Sequence, residues 1–514
     1  MAGQRCVLLL LCVTLTAVIT VSGKDCDQVS FNGSSIVCRC NATYCDTVPE
    51  LKLSANSYTI YTSTMAGDRF ADRIVPFSSE TSPATGQARV NRANSYQSIK
   101  GFGGAMTDSA GFNIMSLSEN ASDNLLRSYY SSQGLEYTLT RVPAGCTSFS
   151  LRNYTYDDVD EDVELENFAL VSEDLKIKIP LIKQAQKMSN RTINLFSTPF
   201  GAPYWMKRSG SMTNGGFLKG DPGGTYYKAY ANYYVKFLEA YKDNGIEFWG
   251  LTPQNEPIFG LIGVIGSLST GFTASQQRDT IAIDLGPALK AAGFGHLKLM
   301  TYDENTFYPE KWASKVYGDS KAKDYVSGLA LHDYLNHLSG YEVITRTHEV
   351  APDKFILSTE YCIRPPDGTL PVELGSWERG EDYFNDIVKI MQNWVTGWTD
   401  WNIALDMSGG PSWAHGSVDS PIIVNKESDE FYKQPMYYAI GHFSKWVVPD
   451  SIRQEMTLEG TEIDGVAFTT PDDNTVIILY NAMDIEEVIK VTDGEKSFSV
   501  TVKARSFNTL IYQN

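Results

Sequence analysis

Two glutamates that follow predicted β-strands are the residues of this chain best suited to chemistry. Glu256 lies in Asn255-Glu256-Pro257, directly after an apolar run, and Glu360 closes another such run. A pair of carboxyl groups is what glycoside hydrolysis requires, and a separation of about 5–5.5 Å makes one a nucleophile and the other an acid and base, with net retention. The two residues are far apart in the sequence, so only the fold can pair them.

Eight short β-rich runs alternate with helical stretches between residues 96 and 405. The predicted strands are 101–106, 137–142, 193–197, 246–252, 297–302, 326–332, 354–358 and 397–405. The predicted helices are 123–130, 175–188, 226–241, 273–285 (opened by a Thr-x-x-Gln capping box) and 377–394. Eight βα units predict a closed parallel (β/α)₈ TIM barrel, whose enzymes place catalysis at the C-terminal strand ends. Glu256 then follows the fourth strand and Glu360 the seventh, so both face one pocket.

The sequence outside this region predicts a separate β-domain. From residue 451 onward strands alternate with polar turns, and residues 471–474 form an evident hairpin turn. Strands between residues 51 and 94 are expected to complete this domain.

The N-terminus and the cysteines indicate a secreted chain. Residues 1–23 carry one cation, Arg5, before an apolar stretch, which is typical of a cleaved signal rather than a membrane span. Four clustered cysteines favour two disulfides over a metal site, because no CxxC spacing or nearby histidine is present. They are Cys26, Cys38, Cys40 and Cys45. Cys146 and Cys362 are expected to be free thiols. Five glycosylation sequons agree with secretion: Asn32, Asn41, Asn120, Asn153 and Asn190.

The net charge argues against one class of partner. At −18 and a pI of about 4.8, the chain would be repelled by the phosphates of nucleic acid. The excess of acidic residues suits an acidic compartment. At a pH near its pI the protein carries little net charge, so an anionic lipid surface no longer repels it. Simple solubility is the alternative explanation.

Five residues near the glutamates are candidates for binding a sugar or supporting the pair. Asn255 can bind the sugar 2-hydroxyl, a contact that strengthens in the transition state, although an Asn that simply ends a strand is the alternative. Trp398 and Trp401 end the eighth strand and offer indoles for stacking on a pyranose, although core packing is the commoner role. His332, at the end of the sixth strand, is expected to support the pocket from behind, with Tyr334 nearer the substrate.

Signals for other chemistries are weak. Residues 101–106 (GFGGAM) lack the third glycine of the dinucleotide fingerprint, and the sequence has no P-loop, GxSxG or HExxH motif. His332 and His337 have a poor spacing for shared metal ligation. We therefore expect neither a cofactor nor a metal.

Six motifs give the chain a specific resemblance that runs from Cys26 essentially to the C-terminus. They are CRCNATYCD (38–46), GFGGAMTD (101–108), GWTDWN (397–402), GGPSW (409–413), DSPIIV (419–424) and FYKQPM (431–436). At these residues the chain resembles the glucosylceramidase family, the lysosomal acid β-glucosidases, which are retaining glycoside hydrolases. The resemblance implies that Glu256 is the acid/base and Glu360 the nucleophile. It also implies the bonds Cys26–Cys38 and Cys40–Cys45.

The resemblance further implies the domain organisation and the partners. The expected units are a signal peptide (1–23), a small disulfide-bearing sheet (24–49 and 403–434), an immunoglobulin-like β-sandwich (51–95 and 451–514) and the catalytic barrel (96–402 and 435–450). The implied substrate is glucosylceramide at a membrane surface, and the implied partner is a saposin-like activator.

Four positions depart from the family pattern. Ser148 replaces an Asp that grips the sugar 3- and 4-hydroxyls, and Phe200 replaces a Trp and so loses an N–H donor. Asp333 stands where a Trp lines the entrance, and Gly416 where an Asn approaches the 6-hydroxyl. Because an unmatched carboxylate acceptor costs about 1–3 kcal/mol or more, its loss relaxes the choice of sugar. The expected substrate-binding residues are Asn255, Trp401, Phe200, Tyr334, Ser148 and His332.

The predicted function is therefore hydrolysis of the β-glucosyl bond of glucosylceramide to glucose and ceramide, in the lysosomal lumen at the membrane or, alternatively, after secretion. Repulsion between the paired carboxyls is expected to raise the pKa of one of them and so to favour an acid optimum. Two alternatives stay open: a related β-glycosidase that prefers galactose, fucose or xylose, and a weakly active glycolipid-binding paralogue. An unrelated polysaccharide hydrolase is disfavoured by the length of the resemblance.

Overall fold

Three β-sheets organise the part of the chain that the computed structural model describes, which is residues 23–77, 83–263, 266–366 and 368–514. The predicted signal peptide lies outside these residues except for Gly23. None of the helices in the described ranges combines the length and the hydropathy that crossing a membrane requires.

The central sheet is an eight-stranded parallel barrel. Its strands, in chain order, are Gly101–Ala105, Leu139–Ala144, Asn194–Pro199, Gly250–Leu251, Lys298–Asn305, Val326–His332, Phe355–Glu360 and Gly397–Asn402. The first seven strands pair in sequence order, each with the next, and the eighth pairs with the first. An isolated bridge between Ile356 of the seventh strand and Val395, two residues before the eighth, completes a nearly closed ring. The predicted fold class is confirmed.

Helices surround the barrel as the alternating pattern predicted. They span Asp108–Met115, Glu119–Tyr130, Ile179–Met188, Thr225–Asp243, Pro257–Ile262, Ala274–Thr280, Gly286–Ala291, Pro309–Tyr317, Ser320–Tyr325, Asn336–Ser339, Glu342–Val350, Trp377–Gln392 and Pro435–Ser444. The capping box of Thr273 and Gln276 is present. The predicted end of that helix at residue 285 is wrong, because a π-helical turn, Ile281–Leu285, carries the helix on to Ala291. Such a turn tolerates a following proline, here Pro287, because it already disrupts the regular hydrogen bonds.

The fourth barrel strand is shorter than predicted but is extended by further hydrogen bonds. Only Gly250–Leu251 forms regular strand within the predicted run 246–252. The amides of Trp249 and Thr252 nevertheless donate to carbonyls of the third strand at 2.7 and 2.9 Å. The strand therefore still delivers residues 253–256 to the mouth of the barrel.

The second sheet is the β-sandwich domain, built from both ends of the described chain. Its strands are Ser57–Thr64, Ala71–Pro76, Gly86–Ser98, Ile452–Glu459, Asp464–Thr469, Asn474–Asn481, Glu487–Thr492, Ser497–Val502 and Ser506–Gln513. The sheet closes over its own apolar cluster, which includes Tyr58, Ile60 and Leu510. The hairpin predicted around residues 471–474 joins two of these strands.

The third sheet is small and carries both disulfides. Its strands are Gln28–Ser30, Ile36–Asn41, Leu405–Asp406, Ile422–Asn425 and Glu430–Lys433. Cys26 is bonded to Cys38 and Cys40 to Cys45, as the family resemblance implied. Cys146 and Cys362 are buried free thiols, as predicted. The segment after the eighth barrel strand is thus held to the N-terminal segment by this sheet.

Candidate active site

A cavity of about 1260 Å³ opens at the C-terminal ends of the barrel strands. Glu256 and Glu360 both line it, together with the predicted sugar-binding residues Ser148 and Trp401. The prediction that the fold brings the two glutamates into one pocket therefore agrees with the geometry. This is the face at which barrel enzymes carry out their chemistry.

The backbone at Glu256 adopts a strained conformation. Its φ of 43° and ψ of 59° lie in the left-handed region, which costs a residue other than glycine about 1–2 kcal/mol. Glu256 caps the short helix Pro257–Ile262, and its amide donates to the carbonyl of Asp303 at 2.9 Å. Pro257 suits the first helical position because no amide is needed there. Such strain is typical of functional sites, and here it turns the carboxyl toward the cavity.

Glu360 is the last residue of the seventh strand and is almost fully buried. Arg141 donates from Nη1 to its Oε2, and the hydroxyl of Tyr334 donates to its Oε1 at 2.9 Å. Each carboxylate oxygen therefore has a donor, which fixes the orientation of the group.

Carboxylate oxygens of Glu256 and Glu360 lie within 4.8 Å of each other, with His332 between them. The Nδ1 atom of His332 is 3.3 Å from Oε1 of Glu256 and 3.9 Å from Oε1 of Glu360. Retaining glycosidases hold their carboxyls about 5–5.5 Å apart, whereas inverting enzymes need about 6.5–9.5 Å to admit a water molecule. The spacing is that of a retaining enzyme.

Arg141 and Asp303 form a fully buried ion pair beneath the glutamates, with Nη2 and Oδ2 separated by 3.0 Å. Burial alone would raise the pKa of Asp303, but the charge of Arg141 and the hydrogen bond from His332 hold it well below its usual range. Three threonines also donate to this carboxylate: Thr198, Thr252 and Thr359. Asp303 is therefore a permanent anion that anchors both Arg141 and His332.

His332 determines the protonation of the candidate acid. Burial alone would lower the pKa of this histidine, but the charges of Glu360 and Asp303 and its bond to Glu256 raise it to about 10. Burial likewise would raise the pKa of Glu256, yet the hydrogen bond and charge of His332 lower it overall. Glu256 is therefore not the carboxyl whose pKa repulsion raises, because the protonated His332 lies between the two glutamates.

Beside Glu256, the carboxyl of Glu304 has a raised pKa. Burial and the charge of Glu256 raise the pKa of Glu304 to about 7. Asn305 donates to both side chains, at 3.1 Å to Glu256 and 3.2 Å to Glu304.

Comparison with known proteins identifies this arrangement. The model of the "Glycosyl hydrolase family 30 TIM-barrel domain" matches residues 99–447, and that of the "Glycosyl hydrolase family 30 beta sandwich domain" matches residues 450–510. The chain belongs to glycosyl hydrolase family 30. The family resemblance inferred from the sequence motifs is thereby confirmed, and the protein is a glycosidase.

Individual relatives support this membership over most of the chain. The lysosomal acid glucosylceramidase of Mus musculus is 41% identical over 483 residues, which covers 93% of each chain. Among solved structures, SrfJ from Salmonella typhimurium has a TM-score of 0.80 at 26% identity, and the endo-β1,6-glucanase BT3312 has 0.78 at 28%. Both cover 89% of this chain and 100% of their own.

In this family 30 glycosidase, most of the predicted sugar-binding residues lie together. The rings of Phe200 and Trp401 stack at 5.3 Å and 26°, and both flank the guanidinium of Arg141. Ser148 and Asn255 line the same cavity, and the Oδ1 of Asn255 accepts from Arg141 at 2.8 Å. The barrel thus brings these predicted sugar-binding residues together on one wall of the cavity.

Two candidate positions do not reach the cavity. Trp398 is fully buried, packs against Tyr383 and donates its indole N–H to Asp386 at 3.3 Å. It therefore packs in the core and does not stack on a sugar. Gly416 is exposed and is not among the described residues of the cavity wall. His332 lies closer to the chemistry than expected, because it contacts Glu256 directly.

Four residues of the family 30 site were missed in the sequence. They are Arg141, Asp303, Asn305 and Arg364. The guanidinium of Arg364 lies 4.5 Å from the ring centre of Tyr334. One signal was available, since Arg141 is a charged residue inside the predicted strand 137–142.

Two groups within the described chain have the spacing of metal ligands. In the first, Cys40 and Cys45 are already joined to each other as a disulfide beside Asp46. In the second, Glu256 and Glu360 flank His332, whose raised pKa keeps the ring protonated and without a lone pair for a metal. Neither group is suited to hold a metal ion in this state.

Proposed function

We propose that this chain hydrolyses the β-glucosyl bond of glucosylceramide, with Glu360 as nucleophile and Glu256 as acid/base. The observation that carries the proposal is the separation of the two carboxylates, within 4.8 Å at the mouth of a family 30 barrel. The name of the mouse relative supports the choice of substrate.

In the first step, Glu360 attacks the anomeric carbon while the bond to the leaving oxygen breaks. Glu256 donates its proton to that oxygen, so that neutral ceramide departs. Arg141 and Tyr334 hold the attacking carboxylate in place before the reaction. The product is a covalent ester between the sugar and Glu360.

In the second step, Glu256 acts as a base. It removes a proton from water as the oxygen attacks the anomeric carbon, and the bond to Glu360 breaks. The sugar leaves with its original configuration, Glu360 regains its charge, and Glu256 is protonated for the next cycle.

An apolar rim around the cavity supports a substrate presented by a membrane. The rim consists of exposed residues on the segments that follow the fourth to seventh barrel strands: Leu261, Ile262, Phe307, Tyr308, Leu338 and Leu370. Exposed apolar side chains concentrated around a site mark contact with a lipid or protein surface. The rim could therefore dock on an anionic lipid surface or on a saposin-like activator.

The proposed location is the lumen of the lysosome, at the membrane, with secretion as the alternative. The lysosomal mouse relative and the net charge of −18 support an acidic compartment. Four of the five sequon asparagines are exposed, namely Asn32, Asn120, Asn153 and Asn190, and Asn41 is partly exposed. All five are proposed glycosylation sites. The proposed domain boundaries remain those predicted from the sequence.

A second candidate function is a β-glycosidase with another sugar preference. Ser148 lines the cavity where the family has a carboxylate, and Phe200 lines it where the family has an indole. Both changes remove groups that select hydroxyls, which favours activity on galactosides, fucosides or xylosides.

The test is a rate comparison at pH 5 on vesicles that contain defined β-glycosylceramides, with and without anionic lipid and an activator protein. Fastest turnover of glucosylceramide supports the first proposal, and faster turnover of another sugar supports the second. Covalent labelling of Glu360 by a cyclophellitol-type inactivator excludes a purely lipid-binding protein. Absence of both turnover and labelling would contradict the enzymatic assignment.

A further inference from the structure

Three consecutive residues at the end of the fifth barrel strand, Asp303, Glu304 and Asn305, all bind the segment that carries Glu256. The carbonyl of Asp303 accepts from the amide of Glu256 at 2.9 Å, and the Nδ2 of Asn305 donates to Oε1 of Glu256 at 3.1 Å. The side chain of Asp303 anchors Arg141, whereas neither step of the proposed reaction uses Glu304. Glu304 is thus a buried acid beside the site that has no part yet in the chemistry.

The carboxyl group of Glu304 binds the first amides of the helix Pro257–Ile262. Its Oε2 accepts from the amide of Ile258 at 2.9 Å and from that of Phe259 at 3.3 Å. Its Oε1 accepts from the amide and from the Nδ2 of Asn305, at 2.9 and 3.2 Å. All four partners are N–H donors, which suits the acceptor oxygens of a carboxyl group. Glu304 therefore ties this helix to Asn305.

The two helix amides are those that the residue at the start of a helix commonly caps with its own side chain. Glu256 occupies that position, with its backbone in the left-handed region, but its side chain makes no capping bond. Because Glu304 already serves both amides, they do not compete for the carboxyl of Glu256. That carboxyl stays available to the cavity, where the glycosidic oxygen needs its proton.

Glu304 cannot reach a substrate itself. It is fully buried and is not among the described residues that line the cavity. Burial and the charge of Glu256 raise the pKa of Glu304 to about 7, so it is a neutral acid under acidic conditions. Its contact with the helix survives this change, because both amides share Oε2 and one carbonyl oxygen can serve them. Glu304 can therefore act only through the position of Glu256.

We propose that Glu304 is a positioning residue that holds the carboxyl of Glu256 toward the glycosidic oxygen. This inference rests on the proposed function, because it takes the acid/base role of Glu256 from it. A displacement of about 1 Å at a reacting group can cost about 100-fold in rate. The loss should be confined to substrates whose leaving group needs a proton.

The experiment measures kcat/KM at pH 5 on two β-glycosides of the sugar that the enzyme prefers. The 2,4-dinitrophenyl glycoside releases its leaving group without a proton, whereas the n-octyl glycoside needs one. Glu304→Leu removes both acceptor oxygens at a similar volume, and Glu304→Gln keeps one carbonyl oxygen for the two helix amides. Glu256→Gln is measured beside them as the reference for a lost acid.

Two matched controls lie outside the cavity. Glu173→Leu removes a buried carboxylate that pairs with Arg152 at 2.8 Å, and Glu349→Gln removes an exposed one. Any activity that Glu173→Leu loses should be lost equally on both substrates. Glu349→Gln should behave as the wild type.

Glu304→Leu should lose about 100-fold on the octyl glycoside and less than about threefold on the dinitrophenyl glycoside, whereas Glu304→Gln should stay within about threefold of the wild type on both. An equal loss on both substrates in Glu304→Leu would overturn the inference, since it indicates a structural role only. Unchanged rates on both would overturn it as well.

If Glu304→Leu does not fold, Glu304→Asp decides the question. Its carboxyl group is one methylene shorter and withdraws from the helix amides, so the octyl glycoside alone should lose about tenfold. Equal loss or no loss on the two substrates would again overturn the inference.

The reference variant separates the inference from the proposed function. If Glu256→Gln loses both substrates equally, the acid role of Glu256 falls, and the proposed function falls with it. If Glu256→Gln loses only the octyl glycoside while the Glu304 variants show no such selectivity, the positioning role alone is refuted.

Discussion

The Nδ1 atom of His332 lies 3.3 Å from Oε1 of Glu256. The other ring nitrogen lies 3.2 Å from the buried anion Asp303, which favours the protonated ring. The positive ring in turn favours ionised Glu256. An enzyme that needs protonated Glu256 to release its leaving group therefore works only in acid, and the histidine sets the upper limit of that range.

Replacement of His332 by Asn should move the alkaline limb of the kcat/KM profile to higher pH. The protonated ring lowers the pKa of Glu256, so its removal raises that pKa and keeps the acid protonated further into the neutral range. The measurement is a pH profile on an aryl β-glycoside. The exposed His296 provides the matched control, His296→Asn, whose profile should not move. An unchanged limb in His332→Asn would contradict the coupling.

Replacement of Glu360 by Gln should reduce kcat by more than about 1000-fold for every substrate, because no carboxylate remains to form the covalent intermediate. The variant should also resist labelling by a cyclophellitol-type inactivator, as intact-mass measurement would report. Glu349→Gln should behave as the wild type. Retained labelling in Glu360→Gln would place the nucleophile elsewhere.

Replacement of Glu256 by Gln should slow hydrolysis in proportion to the basicity of the leaving group. Good leaving groups such as dinitrophenol depart without a proton, whereas ceramide or an alkyl alcohol needs one. The measurement is the dependence of kcat/KM on leaving-group pKa across a series of aryl glucosides. The slope should become steeper than in the wild type; the same slope in both enzymes would argue against the acid role.

Replacement of Ser148 by Asp should sharpen the choice of sugar. The new carboxylate would line the cavity and require hydroxyl partners, so the ratio of kcat/KM between the preferred hexoside and its epimer at the 4-hydroxyl should rise by about tenfold. Ser148→Asn has the same shape without the charge and is the control. A ratio that responds equally to both substitutions would show that size, rather than charge, determines the preference.

Replacement of Arg141 by Met should lower the free energy of unfolding by about 3–5 kcal/mol, because Asp303 would keep its buried charge without a partner. Denaturant unfolding at pH 6 measures the change. The depressed pKa of Asp303 means that its contribution is present above the unfolded pKa and is lost as the pH falls through the folded value. The deficit of the variant should therefore shrink in acid. The exposed Arg346, replaced by Met, serves as the control.

The barrel was predictable because eight short β-rich runs alternate with helical stretches along the sequence, which is the pattern of a closed parallel sheet. The sixth strand, Val326–His332, was predicted with its observed bounds. The fourth was not, because most of its pairing consists of isolated hydrogen bonds at Trp249 and Thr252. The π-helical turn at Ile281–Leu285 has no comparable local signal, so the helix end was misplaced.

The paired glutamates were predictable because each ends a strand, and a barrel gathers strand ends. The buried ion pair beneath them, between Asp303 and Arg141, was not predictable from the sequence. Asp303 is the extra residue of a bulge between Tyr302 and Glu304, and the register of that bulge depends on the neighbouring sixth strand. Its partner Arg141 lies 162 residues away in the sequence, so no local pattern links them.

The construction of the β-sandwich from distant segments imposes an order on biosynthesis. The strand Ser57–Thr64 pairs with Ser506–Gln513, and Ile60 lies opposite Leu510. On a ribosome the edge of the earlier strand that pairs with Ser506–Gln513 must stay unpaired until the whole barrel has been translated. An exposed edge of this kind invites aggregation. Chaperone binding during synthesis should therefore concentrate on the segment before the barrel, and premature termination should yield insoluble chains.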